Sequence, residues 1–293
     1  DNNLRGSLNK IKNILDQIEF VEGDIRDPEK VKKVTHGIDI VFHLAFINGT
    51  KFFYEKPELV LDVGVRGALN ILDSSLDSKV KTFIMASSSE IYNKPTNVPT
   101  NEHERAMIPD IKNPRFSYAG GKLISEILTL NYLRRTKIRD LIFRPHNIFG
   151  PDMGNEHVIP ELIRKIFLAS NHLKNKKCSI EIQGTGKETR AFCYVDDAVE
   201  QLVCMLKNGM KGELYNIGMQ KEININKLIE DISNLLEINV EVLSSNLLRG
   251  STTRRCPDTT KIKSIGYKES DNYYLGLGKT INWYVSNLRK QYT

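Results

Sequence analysis

Short apolar runs alternate with longer amphipathic stretches along the first half of the chain. The runs have the length of strands and show little polar alternation, which is typical of strands covered on both faces. They predict strands at Ile18–Val21, Ile40–Leu44, Thr82–Ser87 and Leu141–Arg144. Between them the helical period predicts helices at Pro28–Thr35, Pro57–Ser75 and Tyr118–Thr136. Repeated strand and helix units of this kind build an α/β fold with a doubly wound parallel sheet.

The pattern becomes less regular after Gly150 and Pro151. It predicts helices at Ile159–Ser170, Asp196–Leu206 and Asn226–Leu236, strands at Ser179–Gln183 and Leu214–Ile217, a turn at Gly184–Gly186, a polar loop at Ser244–Thr253 and a final helix that ends in Trp283–Tyr284. We expect residues 1–150 to form one domain, to which residues 189–217 return. Residues 151–188 and 218–293 are expected to form a smaller, interleaved second domain.

Composition and charge narrow the classes of function. Of the 293 residues, 40% are hydrophobic and 27% charged, and no apolar run approaches the ~20 residues that crossing a membrane requires. The first residues lack the apolar stretch of a signal peptide, so a cytoplasmic location and no membrane partner are predicted. The net charge is +6, but basic residues are interspersed with acids, so we expect no nucleic-acid partner. The four cysteines lie far apart, and no metal site is predicted.

The strongest local signal is Tyr118-x-x-x-Lys122 at the start of a predicted helix. One helical turn places both side chains on one face, where the lysine ammonium can favour the phenolate and make the tyrosine a base. Alone, the same spacing is also typical of a surface pair. Ser87 ends the preceding predicted strand, and Ser88, Ser89 and Glu90 follow it, at the sheet edge where doubly wound folds bind ligands.

Together these residues resemble the Ser/Thr, Tyr and Lys set of the extended short-chain dehydrogenase/reductases of the nucleotide-sugar epimerase/dehydratase type. Further segments match that family in the same order: Gly23–Asp27, His43–Phe46, Arg144–Pro151, Gly184–Asp197 and Arg254–Asp258. The resemblance implies a Rossmann-type domain, a catalytic set of Ser88, Glu90, Tyr118 and Lys122, and the cofactor NAD. Tyr118 would take the proton of a sugar hydroxyl, and Lys122 would lower the pKa of the tyrosine.

The resemblance also implies which residues bind ligands. For NAD they are Asp1, Asn2, Asp24, Ile25, Leu44, Ala45, Tyr118, Lys122 and Pro145. The implied substrate is a nucleotide-diphosphate sugar, bound by Ser88, Asn147, Val158, Arg190 and Arg255. Guanidinium groups suit a diphosphate because they form charge-assisted hydrogen bonds, although structural salt bridges are an alternative role for either arginine. The family further implies a homodimer formed through the helices at Pro57–Ser75 and Tyr118–Thr136.

Some features depart from the family pattern. A Rossmann-type site needs a glycine-rich turn after its first strand, and none opens this chain. Asp1-Asn2 instead resembles the acidic end of the second strand, so we expect a fragment of a longer enzyme or, less readily, a truncated product. Phe46 stands where the family has Ala, Gly64 where many relatives have Asn, and Ala191 follows Arg190.

In the family that the chain resembles, nucleotide-sugar 4-epimerases, 4,6-dehydratases and glucuronate decarboxylases all begin with oxidation at the sugar C4 hydroxyl. A dTDP-glucose type dehydratase carries Asp-Glu after its catalytic Thr, whereas this chain has Ser89-Glu90. Ser-Glu is found in glucuronate decarboxylases and in GDP-mannose dehydratases, so Glu90 permits each reaction. We predict a 4-epimerase, with a decarboxylase or a 4,6-dehydratase as alternatives. A catalytically inactive binding protein is a further alternative, because the phosphate-binding loop is absent.

Overall fold

The computed structural model describes residues 1–4, 6–246 and 253–292. In chain order the helices are α1 (Pro28–Thr35), α2 (Thr50–Glu55), α3 (Pro57–Leu61), α4 (Gly67–Asp77), α5 (Ser117–Leu133), α6 (Val158–Ala169), α7 (Val195–Asn208), α8 (Ile225–Leu236), α9 (Thr260–Ser264) and α10 (Tyr273–Tyr292). The strands are β1 (Ile40–His43), β2 (Thr82–Ala86), β3 (Arg139–Pro145), β4 (Ile148–Phe149), β5 (Lys177–Gln183), β6 (Thr189–Ala191), β7 (Cys193–Tyr194), β8 (Glu213–Ile217), β9 (Glu222–Asn224), β10 (Asn239–Ser245) and β11 (Arg254–Arg255). Short 3₁₀ helices occur at Leu8–Lys10, Lys12–Gln17, Ser89–Tyr92 and Pro114–Phe116, and a π-helical segment at Asp62–Arg66.

The chain forms two compact units. Unit 1 contains the described part of 1–93 together with 105–144 and 208–215, and unit 2 contains 94–104, 145–207 and the described part of 216–293. Within the described residues, the sheet that dominates unit 1 has the strand order β1-β2-β3-β8. β1 pairs with β2 in parallel, and β2 pairs with β3 in parallel. The predicted parallel α/β sheet is therefore confirmed.

The core of unit 1 lies where helices pack on β2 and β3. β2 and β3 expose almost none of their side chains. This burial agrees with the apolar runs from which the two strands were predicted. The cluster consists of Val31, Ile71, Leu72, Phe83, Met85, Leu133, Ile138 and Ile142. Unit 2 has its own core between α6, α8, α10 and β5, and it includes Ile163, Phe167, Ile180, Ile232 and Leu277.

Some predicted elements differ from those observed. The strand predicted at Ile18–Val21 is wrong, because this segment forms no ladder with the described residues. The Asp1 amino group donates to the Val21 carbonyl, and Gly23 N, just beyond the segment, donates to the Asp1 carbonyl. A strand exists only where a neighbour offers a row of backbone partners. The helix predicted at Pro57–Ser75 is α3 and α4 joined by the π-helical segment. α10 continues to Tyr292, beyond the predicted end. In the predicted polar loop, Ser244 and Ser245 belong to β10, and residues 247–252 lie outside the described residues.

Candidate active site

The turn after β2 presents the predicted serines. Ser87 N donates to the Phe143 carbonyl at 2.8 Å, so the backbone stays tied to β3 just beyond the strand. Ser88 is buried and caps the 3₁₀ helix Ser89–Tyr92, because its Oγ accepts from Glu90 N at 3.2 Å. A serine suits this N-cap position since its hydroxyl satisfies a donor that the helix leaves open. The cap fixes where the Ser88 hydroxyl and the Glu90 backbone lie.

Tyr118 and Lys122 lie in the first two turns of α5 and are both buried, with 8% and 3% of their surface exposed. The Lys122 Nζ donates to the Ala86 carbonyl at 2.6 Å and lies 5.9 Å from the centre of the Tyr118 ring. Ala86 is the last residue of β2 and stands two positions before Ser88. The lysine therefore ties the start of α5 to the strand end that carries the serines, within unit 1.

Burial lowers the pKa values of Lys122 and of the nearby His43. Burial lowers the pKa of Lys122 to about 7, and the charge of Glu126 partly opposes this shift. On β1, burial and then the charge of Lys122 lower the pKa of His43 to about 3, so the imidazole is neutral near neutral pH. A buried ammonium of this kind can change its protonation state close to the working pH of an enzyme.

One turn further along α5, Glu126 forms a buried ion pair with Arg144. The Arg144 Nε donates to Glu126 Oε1 at 2.8 Å and Nη2 donates to Oε2 at 2.7 Å. Arg144 Nη1 also donates to the Tyr92 hydroxyl at 2.8 Å. Burial would lower the pKa of Arg144, but Glu126 outweighs it and raises that pKa. This network fastens α5 to β3 and to the 3₁₀ helix that Ser88 caps.

Aromatic rings surround Tyr118, and sequence reasoning missed their role. The Phe53 ring stacks on the Tyr118 ring, with centres 5.0 Å apart and planes 20° apart. Phe46 meets Tyr118 almost perpendicularly, with centres 5.3 Å apart. The only sequence signal was that Phe46 departs from the family pattern. These two rings pack against the Tyr118 ring and limit its movement.

A cavity of about 400 Å³ lies in unit 1 and brings together most of the predicted cofactor residues. Among its lining residues are Asp1, Asn2, Asp24, Ile25, Leu44 and Ala45. Tyr118, Lys122 and Pro145 are not among the described residues that line it; Pro145 ends β3. The volume is within the usual range for small-molecule sites.

The chemistry of this lining fits the adenosine part of NAD. Apolar walls suit the flat adenine, and carboxylate and amide oxygens suit the ribose hydroxyls. Asn2 Nδ2 donates to Asp24 Oδ2 at 3.1 Å, which joins two of the predicted residues. Arg26 holds Asp24 through two hydrogen bonds, at 3.0 and 2.8 Å, and these bonds lower the pKa of that carboxyl. Asp24 is thus ionised and fixed in place.

Four of the five predicted substrate residues lie in unit 2, around β6. Arg190 on β6 is in register with Arg255 on the parallel strand β11, so the two side chains leave the same face of the sheet. Arg254 leaves the opposite face, where Glu222 holds its guanidinium at 2.6 Å. Two in-register arginines can form a site for a diphosphate.

Two further predicted substrate residues adjoin the same strand, whereas Ser88 lies in unit 1. Asn147 has a positive φ of 42°, and its Nδ2 donates to the Ala191 carbonyl at 3.2 Å. Val158 and Arg190 both line a cavity of about 180 Å³ in unit 2. Unit 2 therefore brings Asn147, Val158, Arg190 and Arg255 to one region. Among the described residues, no helix combines the length and apolar character needed to cross a membrane.

A parallel sheet with a buried Tyr-x-x-x-Lys pair at its strand ends defines a protein of the short-chain dehydrogenase/reductase class. The chain belongs to the NAD dependent epimerase/dehydratase family, which it matches over residues 3–218. The predicted family and the predicted cofactor, NAD, are thereby confirmed.

Curated relatives cover several activities. The chain is 31% identical to a dTDP-D-glucose 4,6-dehydratase of Bos taurus over 92% of this chain and 74% of the relative. It is 30% identical to a UDP-N-acetyl-alpha-D-glucosaminuronate decarboxylase of Bacillus cytotoxicus, over 97% of this chain and 88% of the relative. Among solved structures, a UDP-N-acetylglucosamine 4-epimerase from Methanobrevibacter ruminantium superposes with a TM-score of 0.87 and 23% identity, over 98% of this chain and 89% of that one. This likeness confirms the Rossmann-type fold. The chain is a nucleotide-sugar epimerase/dehydratase type enzyme.

Proposed function

We propose that this protein is an NAD-dependent nucleotide-sugar 4-epimerase that acts through a transient 4-keto sugar. The observation that carries the proposal is the buried Tyr118–Lys122 pair, fastened by Lys122 to the strand end that leads into Ser88. The turn that follows contains one carboxylate, Glu90, and has Ser89 beside it. Epimerisation needs one proton acceptor at the reacting oxygen, whereas elimination of water needs both an acid and a base.

In the first half-reaction Tyr118, as the phenolate, accepts the proton of the sugar C4 hydroxyl. Ser88 donates a hydrogen bond to the same oxygen and holds it towards the phenol. Bound NAD would supply the acceptor for the hydride that leaves C4 and the donor for its return. The C4–H and O–H bonds break as the C=O double bond forms, so the sugar is oxidised by two electrons.

Lys122 makes this proton transfer possible near neutral pH. Its ammonium lies 5.9 Å from the Tyr118 ring centre and favours the phenolate over the phenol. In the second half-reaction Tyr118 returns its proton to the C4 oxygen after the keto sugar has turned its other face. Nothing is gained or lost overall, and only the configuration at C4 changes.

For the substrate, we propose that Arg190 and Arg255 bind the diphosphate and that Asn147 and Val158 contribute to the same site. The register of Arg190 with Arg255 supports this role, because two guanidinium groups on one face match two phosphates. For the cofactor, we propose that Asp1 and Asp24 contact the adenosine, since both line the 400 Å³ cavity.

Decarboxylation is the second candidate. The sequence Ser89-Glu90 supports it as well as epimerisation, and one relative at 30% identity is a decarboxylase. A decarboxylase shares the first half-reaction but then releases carbon dioxide from a C6 carboxylate. The two reactions therefore differ in the mass of the product.

Product analysis by NMR distinguishes these functions. The full-length protein is incubated with NAD and with UDP-, dTDP-, GDP- and CDP-sugars, including the uronic acids. Inversion at C4 without a mass change is the expected result. Loss of carbon dioxide or water would assign the chain to a decarboxylase or a dehydratase, and failure to bind NAD would support a non-enzymatic role.

The Tyr118→Phe variant tests the proton acceptor. We expect it to abolish turnover and to leave NAD binding intact, because it removes one hydroxyl from a ring that stays packed. Tyr132→Phe is the matched control, since Tyr132 lies on the same helix but is exposed. Wild-type turnover in Tyr118→Phe would rule out this base.

The Glu90→Gln variant separates epimerisation from elimination. We expect little loss of turnover, because 4-epimerisation requires no proton transfer by the Glu90 carboxylate. If the variant abolishes epimerisation, Glu90 has a role that this mechanism lacks.

We also propose that two copies of the chain pair through the predicted helical segment Pro57–Ser75, which contains α3 and α4, and through α5. Ile124 and Ile127 on this helix are 41% and 53% exposed, which leaves apolar surface open on the outside of unit 1. Sedimentation velocity should give the mass of a dimer. A monomeric mass, together with a specific activity that does not fall on dilution, would contradict this assembly.

A further inference from the structure

Phe46 occupies a space that two glycines leave open. A Cβ added to Gly64 would lie 2.3 Å from Phe46 Cζ, and one added to Gly121 would lie 3.0 Å from the same atom. Gly64 lies in the π-helical segment and Gly121 in α5. Gly64 leaves the space that the ring fills, and Gly121 allows the ring to approach α5 closely. The large ring at position 46 and the glycine at position 64, the two departures noted in the sequence, therefore accommodate each other.

The ring that fills this space also faces the lysine of the proposed catalytic pair. Lys122 Nζ lies 4.0 Å from the centre of the Phe46 ring, closer than its 5.9 Å to the Tyr118 ring centre. At that distance the negative face of an aromatic ring attracts an ammonium group. The same ring packs almost perpendicularly against Tyr118. Phe46 thus contacts both members of the pair at once.

The other groups around Lys122 offer limited compensation for its buried charge. Glu126 on α5 is the nearby carboxylate, but Arg144 from β3 holds both of its oxygens. His43 on β1 is neutral near pH 7. The Ala86 carbonyl on β2 accepts one hydrogen bond from the ammonium. The face of the Phe46 ring is a further source of stabilisation for the charged form.

We propose that Phe46 is a positioning residue for the Tyr118–Lys122 pair: seated against Gly64 and Gly121, its ring holds the Lys122 ammonium and supports the Tyr118 ring. The importance of this for turnover rests on the proposed function, but the contact itself does not. Removing the ring face while keeping an apolar side chain should destabilise the charged lysine. Since burial has already lowered the pKa of Lys122 to about 7, Phe46→Leu should lower it further, by about one pH unit.

The test follows the protonation of Lys122 directly, in the full-length protein without substrate or cofactor. Lysine labelled with ¹³C at Cε is incorporated, and Lys122→Met identifies the resonance. Phe53→Leu is the matched control, because Phe53 also packs on Tyr118, while among the described residues no cation–π contact joins it to Lys122. We expect Phe46→Leu to move the titration midpoint about one unit lower and Phe53→Leu to leave it in place. Equal shifts in both variants, or none in Phe46→Leu, would overturn the proposal.

A second variant approaches the same contact from the helix. Gly64→Ala places a methyl group where the ring now lies, so it should displace Phe46 and lower the Lys122 midpoint as Phe46→Leu does. In the double variant Phe46→Leu with Gly64→Ala, the two shifts should not add, since both remove one contact. A folded Gly64→Ala protein with a wild-type midpoint would contradict the proposal.

Turnover gives a separate measurement. If Lys122 must be charged, the pH at which kcat falls on the alkaline side should move down in Phe46→Leu by the same amount as the NMR midpoint. An inactive wild-type protein would count against the proposed function while leaving the NMR result valid. A shifted NMR midpoint with an unchanged kcat profile would show that Phe46 does not position the pair for catalysis.

Discussion

The buried ammonium of Lys122 should make the folded protein less stable at low pH, and Lys122→Met should raise the free energy of unfolding there. The pKa of Lys122 falls from 10.5 to about 7 on folding, a difference of about 3.5 pH units. At about 1.4 kcal/mol per unit, the buried charge costs about 5 kcal/mol at a pH below both values. Methionine fills a similar volume without a charge, but it gives up the hydrogen bond to the Ala86 carbonyl, which costs about 1–3 kcal/mol. The variant should therefore be more stable by about 2–4 kcal/mol at about pH 6.

The direction of the pH dependence follows from proton binding. Because the folded-state pKa lies below the unfolded-state value, the unfolded wild-type chain binds the additional proton between about pH 7 and pH 10.5. Wild-type stability consequently rises with pH across this interval, and the advantage of the variant shrinks. Between about pH 7 and about pH 9 the difference between the two proteins should fall by about 2 kcal/mol. The lost hydrogen bond does not affect this change with pH.

Urea unfolding followed by circular dichroism measures the difference. Lys176→Met serves as the control, because Lys176 is an exposed lysine in an outer ion pair with Glu237. A stability difference for Lys122→Met that stays constant from about pH 6 to about pH 9 would refute the reasoning, as would a variant that gains stability with rising pH relative to wild type.

Other predictions concern the ion pair of unit 1 and the arginines of unit 2. Arg144→Met should lower the free energy of unfolding by about 3–5 kcal/mol, because it leaves the buried Glu126 carboxylate without its partner. Adding Glu126→Gln to this variant should recover most of the lost stability. A double variant as unstable as Arg144→Met alone would contradict this account. Arg255→Leu should weaken binding of UDP or dTDP about 10–100-fold in calorimetry. Arg254→Leu removes a guanidinium that pairs with Glu222 on the opposite face, so it should change the affinity for UDP or dTDP little. Equal losses of affinity in the two variants would argue against a diphosphate site on the Arg255 face.

Local patterns were sufficient for most of the elements. The apolar runs at Ile40–Leu44 and Thr82–Ser87 became β1 and β2 almost unchanged. β2 is buried on both faces as its run indicated, whereas β1 ends the described sheet and leaves Ile40 and Phe42 exposed. The positive φ of Gly184 and Gly186 agrees with the predicted turn. The run at Ile18–Val21 has the same composition as a strand, yet its state depends on which backbone lies beside it, and no local pattern records that.

For the candidate site, the sequence by itself determined which chemistry was available. The Tyr118–Lys122 spacing, the serines after β2 and the two late arginines all appear as short motifs, and a helix places residues four apart on one face wherever it occurs. The tertiary structure alone decided what surrounds them: the Ala86 carbonyl that holds Lys122, the register that pairs Arg190 with Arg255, and the glycines that admit Phe46. These contacts join residues far apart in the chain. Their pKa shifts and packing depend on burial and distance, which arise only when the chain has folded.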